Sequence, residues 1–87
     1  MDDTEIRKYI ERAIEGDEDS FAALISFVQN KAYAIAYRYM KNDADARDAM
    51  QEAFIKMYLN LGSFGYRSKF ETWFYRILIN CCLDALR

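Results

Sequence analysis

Asp43-Ala-Asp-Ala-Arg-Asp48-Ala-Met-Gln51-Glu52-Ala-Phe-Ile55-Lys-Met-Tyr-Leu59-Asn-Leu61 reads as a helix with two different faces. Ala46, Ala49, Met50, Ala53, Phe54, Met57 and Leu61 fall on one side, the stripe that a helix turns toward a core. Asp48, Gln51, Glu52, Ile55 and Leu59 line up on the opposite side. A solvated polar face does not need the two aliphatics. Ile55 and Leu59 beside three carboxylate or amide groups suit a partner helix, with apolar contacts on the first and polar contacts on the second. Asp43 is the expected N-cap of this helix and Gly62 its expected stop.

Working toward the N-terminus, Phe21, Leu24, Ile25, Val28, Ala32, Ile35, Ala36 and Tyr39 form a second long stripe at helical spacing. Asp17, Glu18, Asp19 and Ser20 load its start with caps and negative charge, which suits the helix dipole. A first helix runs from about Thr4 to Glu15 and stops at Gly16. The chain has no proline and three glycines, too few turn residues for a sheet. Short connections between four helices predict an all-α fold, a compact and mostly antiparallel four-helix bundle. All 87 residues are read as one domain, near the lower size limit of a core that stands without crosslinks. Arg87 ends the chain inside an apolar helical pattern with no capping glycine or asparagine, so 1–87 is expected to be the N-terminal part of a longer protein.

Toward the C-terminus lies Phe64-Gly-Tyr66-Arg67-Ser-Lys69-Phe70-Glu-Thr72-Trp73-Phe-Tyr-Arg76-Ile-Leu-Ile-Asn80. Six of the twelve residues from Phe64 to Tyr75 are aromatic. Rings beside fixed cations offer an unstacked base a flat face, and its phosphate a charge. Ser68 and Glu71 fit a capping box that would start the last helix there. Phe70, Trp73, Phe74, Ile77, Leu78, Cys81 and Ala85 form its core stripe, and Thr72, Arg76, Asn80, Leu83 and Arg87 the other side. Arginine neutralises phosphates, and threonine or asparagine bonds phosphates or base edges. Phe64 and Tyr66 flank Gly65 in a loop too short to bury both rings easily. One is expected to close over the bundle and the other to stand exposed beside Arg67 and Lys69, able to receive an extruded base.

Charge agrees with this polarity. Net charge is −2, but residues 1–30 carry −5, 31–61 carry +1 and 62–87 carry +2. A modest cationic patch on an acidic domain implies weak binding alone, with a partner supplying the remaining attraction. The absence of histidine removes the commonest general base and metal ligand, and no paired-carboxylate site replaces it. The chain is therefore read as no enzyme, with no cofactor and no metal. Cys81 and Cys82 are adjacent in a helix and diverge by about 100°, so both are expected to be reduced apolar residues. No membrane-length apolar run and no signal peptide are present, which places the chain in the cytoplasm without membrane insertion. A helical protein-interaction module without DNA binding is the alternative from another class.

With these faces placed, the sequence resembles the second conserved region of bacterial RNA polymerase sigma factors of the sigma-70 family. Its extracytoplasmic-function (ECF) group is the nearest in kind. The resemblance covers about residues 14–87. It rests on Gly16-Asp17 with Phe21 and Leu24, and on Asp45-Ala-Arg-Asp48-Ala-Met-Gln51-Glu52-Ala-Phe54. Further matches are Phe64, Phe70, Thr72-Trp73, Tyr75-Arg76-Ile77, Asn80, Asp84 and Arg87. It implies a transcription initiation factor domain that recognises and melts the minus-ten promoter element. Asp48, Gln51 and Glu52 would dock on the clamp helices of the largest subunit of core RNA polymerase; Ile55 and Leu59 join them by the helical projection. The loop and last helix would hold the non-template strand of promoter DNA. Phe64 and Asn80 resemble the positions framing a flipped-base pocket, with Lys69, Phe70, Thr72, Trp73 and Arg76 between them. An anti-sigma factor is a further implied partner, and the domain is expected to be monomeric. Two departures stand out: Arg47 where the family usually has an acid, and Phe74 where it usually has leucine. No second DNA-binding domain for the upstream minus-thirty-five element is present in these residues.

Overall fold

A computed structural model describes residues 1–87. Four helices follow in order: α1 Asp3–Ile14, α2 Glu18–Met40, α3 Asp43–Asn60 and α4 Phe70–Ala85, with a 3-10 turn Leu61–Ser63 after α3. The predicted all-α bundle is what the chain forms. Its long member, α2, packs against each of the other three; α3 also packs on α4, and α1 on the 3-10 turn.

The stripes read from the sequence converge on one core. Leu24, Val28, Ala32 and Ala36 of α2 are buried with Ala46, Ala49, Met50, Ala53 and Met57 of α3. Phe74, Leu78, Cys81 and Cys82 complete it from α4, and Ile6, Ile10 and Ala13 from α1. Small alanines on α2 and α3 let those two axes approach closely, while Phe54 and Phe74 stack in parallel at 5.2 Å between α3 and α4. Both cysteines are free and buried, and burial pushes both thiols above the usual cysteine range. Ala85, assigned to the core stripe, is exposed, and Trp73 and Ile77 are half-buried. Ala85 is the last residue of α4, where Leu86 takes the C-cap.

Two caps differ from expectation. Asn42, not Asp43, caps α3: its backbone is extended and its side chain accepts from the Asp45 N–H at 2.9 Å. Asp43 is drawn elsewhere, accepting from the Tyr33 hydroxyl at 2.6 Å and pairing with Arg47 at 3.0 Å. The Ser68–Glu71 capping box does not form. Ser68 donates to the Lys69 carbonyl at 3.2 Å, and Lys69 stands at the N-cap with no side-chain bond. Gly16 does turn the chain after α1, at φ +102°. Gly62 sits inside the 3-10 turn rather than ending α3.

Two carboxylates at the starts of α2 and α3 carry a pH dependence. The Ser20 hydroxyl holds the Asp17 carboxyl below its usual range, helped by backbone N–H groups and Arg12. Tyr33 and then Arg47 do the same for Asp43. A depressed carboxylate stabilises the fold above its unfolded pKa of about 4, and that stability is lost as pH falls through the folded value. Asp17→Ala should therefore lower the urea midpoint at pH 6, and the gap from the parent should narrow at pH 2.5. An equal gap at both pH values would contradict this.

Candidate nucleic-acid interface and docking face

The loop from Phe64 to Lys69 is organised by rings. Phe64 turns inward and is only 7% exposed. Its ring meets Tyr66 at 4.7 Å, Trp73 at 5.0 Å and Phe70 at 6.0 Å. Tyr66 takes a left-handed backbone, φ 57°, and stands 42% exposed. The loop thus buries one ring and presents the other, as its length requires. Gly65 separates them, and a Cβ there would meet only the Arg67 Cγ, at 3.9 Å.

Trp73 is the ridge of the site. On one side it lines a cleft of about 260 Å³ with Lys56, Asn60, Ser63, Ile77 and Asn80. On the other it lines a cleft of about 480 Å³ with Ser63, Phe64, Gly65, Arg67, Ser68 and Arg76. Thr72, Arg76 and Asn80 are exposed along one face of α4, spaced four residues apart, so they stack in a row. Arg67, Lys69 and Arg76 have no carboxylate within ion-pairing distance; the four ion pairs involve Arg7, Arg47, Lys56 and Arg87.

Several sequence candidates are placed differently. Phe64 and Phe70, offered as strand contacts, are both buried, Phe70 at 3% exposure. Little of either ring reaches the clefts they line, and their contacts with each other and with Trp73 wedge the loop against α4. Arg87 pairs with Asp84 at 3.6 Å and lies about 10 Å beyond Asn80 along α4, outside both clefts. Lys56, Asn60 and Ser63 were not singled out from sequence, yet they close the cleft beside Asn80. Lys56 pairs with Glu52 at 3.4 Å. The Cys81 sulfur in its thiolate form, and then the Glu52 carboxylate, push the Lys56 ammonium above its usual value.

The other face is also laid out. Asp48, Gln51, Glu52, Ile55 and Leu59 are all exposed, Ile55 at 54% and Leu59 at 71%. They straddle the crest of α3. Gln51 and Ile55 edge a groove of about 430 Å³ between α2 and α3, floored by Phe21, Met50, Phe54 and Tyr58. Asp48 and Glu52 lie on the opposite slope, with Met40, Asp45, Ala85 and Leu86. Phe21 and Tyr58 meet edge to face at 5.3 Å within that groove. Arg47, the departure from the family's acid, lines that groove and is tied to Asp43.

Comparison with known proteins supplies the family. The family model for Sigma-70 region 2 matches residues 24–87. The ECF RNA polymerase sigma factor SigW of Bacillus subtilis is 42% identical over 82 residues, covering 94% of this chain and 44% of that protein. The ECF RNA polymerase sigma-E factor of Haemophilus influenzae is 42% identical over 77 residues, 88% of this chain and 40% of its own length. The chain thus spans less than half the length of these relatives. Among solved structures, an engineered region 2 of sigma-E in complex with GTAAAA superposes with a TM-score of 0.84. It is 38% identical and covers 93% of this chain and 84% of that one. α3, the loop and α4 thus fall within the residues matched by the family model, and the chain belongs to the sigma-70 region 2 family, in its extracytoplasmic-function branch.

Proposed function

We propose that this domain docks on core RNA polymerase through the crest of α3 and traps the non-template strand of the minus-ten promoter element around Trp73. The observation that carries the reading is the Trp73 ridge between two clefts, with Asn80 and Lys56 on one side and unpaired Arg67 and Arg76 on the other. The cleft beside Asn80 is smaller than the ~300–1,000 Å³ typical of drug-sized ligands, a scale suited to one heterocycle. The relative with the matching fold is bound to a short oligonucleotide, which supports the same use here.

Mechanism follows from the placement. The polymerase clamp helices seat on Asp48, Gln51, Glu52, Ile55 and Leu59, which orients α4 over the duplex. Extruding a base costs a few kcal/mol. Stacking on an aromatic ring returns about 1–3 kcal/mol per base, and Asn80 adds hydrogen bonds to the base edge. Tyr66, Trp73 and Thr72 touch the strand directly, with Arg67, Lys69 and Arg76 on its phosphates. Phe64 and Phe70 support the loop from beneath. Arg87 remains a candidate only for DNA beyond the clefts. Catalysis has no part in this; binding energy alone traps the open strand. In the whole protein, a further domain supplies upstream promoter recognition. An anti-sigma factor would cover the α3 face and exclude polymerase from it. That face, with its apolar groove, also sustains the alternative of a protein-interaction module without DNA binding.

The two readings separate on DNA. This chain is expected to bind a single-stranded minus-ten oligonucleotide weakly, better than the same sequence as duplex, with a shallow salt dependence because few phosphates are neutralised. Fluorescence anisotropy over a salt series measures both. Tighter binding to duplex, or no binding to either form, would reject strand capture.

A further inference from the structure

The first helix reaches the strand-capture loop. Arg7 of α1 lies with its guanidinium carbon 4.2 Å from the centroid of the Tyr66 ring, a cation–π contact. Phe64 also neighbours that ring, at 4.7 Å. Tyr66 holds a left-handed backbone, φ 57°, which costs a non-glycine residue energy and needs support from its surroundings. Arg7 and Phe64 are that support.

Below the contact, α1 and the loop enclose a cleft of about 440 Å³ whose polar lining includes Arg7, Arg67, Lys69, Ser68 and a single carboxylate, Asp3. Arg67 and Lys69 belong to none of the ion pairs. Arg7 pairs with Glu11 at 3.5 Å, but both side chains are 60% exposed, so the pair is loose and solvent-screened. Three cations against one acid favour an anion, and two guanidinium forks favour a phosphate in particular. The cleft shares Phe64, Arg67 and Ser68 with the cleft beside Trp73 and Arg76. A strand whose base enters the cleft beside Asn80 runs its backbone past Trp73 into the adjoining Arg67–Arg76 cleft, and from there has a path for its next phosphate into the cleft under α1.

We propose that α1 and the loop form a phosphodiester-binding cleft in which Arg7, with Arg67 and Lys69, takes a backbone phosphate of the captured strand. Arg7 has a second role as a positioning residue, fixing the Tyr66 ring. This rests on the strand-capture reading for its ligand. The assignment rests on this chain's own geometry at Arg7 and the cleft beneath it.

The test compares the parent chain with Arg7→Met and Arg7→Lys, by anisotropy of a labelled single-stranded minus-ten oligonucleotide over a potassium chloride series. Arg7 is exposed, and both variants should keep the parent's melting curve. Arg7→Met is expected to bind threefold to tenfold more weakly at low salt and to lose about 0.7 from the slope of log K against log salt, the share of one single-strand phosphate. Arg7→Lys should keep the slope. Inorganic phosphate at constant ionic strength should displace the strand poorly; full displacement would identify a free-phosphate site and overturn the proposal. A slope unchanged in Arg7→Met would reduce Arg7 to packing and also overturn it. If the slope changes but the parent binds a scrambled strand equally well, the cleft stands and minus-ten capture fails.

Discussion

Replacing Asp48 and Gln51 together with alanine should lower affinity for core RNA polymerase by about 30-fold to 150-fold, from two contacts worth about 1–1.5 kcal/mol each. Both side chains are exposed and touch nothing that the core needs. Neither forms an ion pair or a side-chain hydrogen bond within the chain. The fold should therefore be indifferent, and an unchanged melting curve is part of the prediction. Because Gln51 edges the α2–α3 groove while Asp48 lies on the slope toward Leu86, the pair samples both sides of the crest. Ile55 and Leu59 supply the apolar part between and beyond them. A pull-down or surface binding assay with core enzyme reads the outcome. Unchanged affinity would remove α3 from the docking interface.

The outline of the fold was legible because two periodicities were unambiguous. On α2 and α3 the apolar residues recur at helical spacing, and the buried residues of both helices, from Leu24 to Met57, lie on those stripes. Their exposed faces followed by subtraction, so the α3 crest was readable from sequence. Capping was less so. Asn42 and Asp43 are both good caps by type, and the choice was made by Tyr33, ten residues away, whose hydroxyl claims Asp43. The Ser68–Glu71 motif has the right letters, but the backbone enters α4 one residue later, with Lys69 at the cap.

The site was half legible for the same reason. Periodicity put Thr72, Arg76 and Asn80 on one face, because that is a local property of α4. It could not bring Lys56, Asn60 and Ser63 across from the end of α3, nor Arg7 from α1, since those are tertiary neighbours. The loop reading stated that one ring closes and the other opens without choosing between them. The choice is made by packing: Phe64, wholly apolar, fits between Phe70 and Trp73, and Tyr66 keeps its hydroxyl in water. Arg87 was carried by its place on the α4 face and by the family resemblance, but its seven residues beyond Asn80 set it about 10 Å further along the axis.

Burial of Phe64 also changes how strand capture is best tested. Phe64→Ala would remove a core ring, at a cost of about 3–5 kcal/mol, and would confuse loss of fold with loss of binding. Asn80 is exposed, has no side-chain hydrogen bond within the chain, and can be changed without that penalty. Loss of a hydrogen bond to a captured base leaves a polar group of the base unpaired in the cleft, worth about 1–3 kcal/mol. Asn80→Ala should therefore reduce occupancy of the extruded state by about tenfold or more, with polymerase affinity intact.

The most direct measurement places 2-aminopurine in the non-template minus-ten strand of a forked promoter fragment, bound to core RNA polymerase and this chain. The parent should change the probe's fluorescence as a base leaves its stack and enters the cleft beside Trp73. Asn80→Ala should dock equally well and leave the signal near that of polymerase without the domain. An undiminished signal in Asn80→Ala, at equal docking, would contradict base capture at this site.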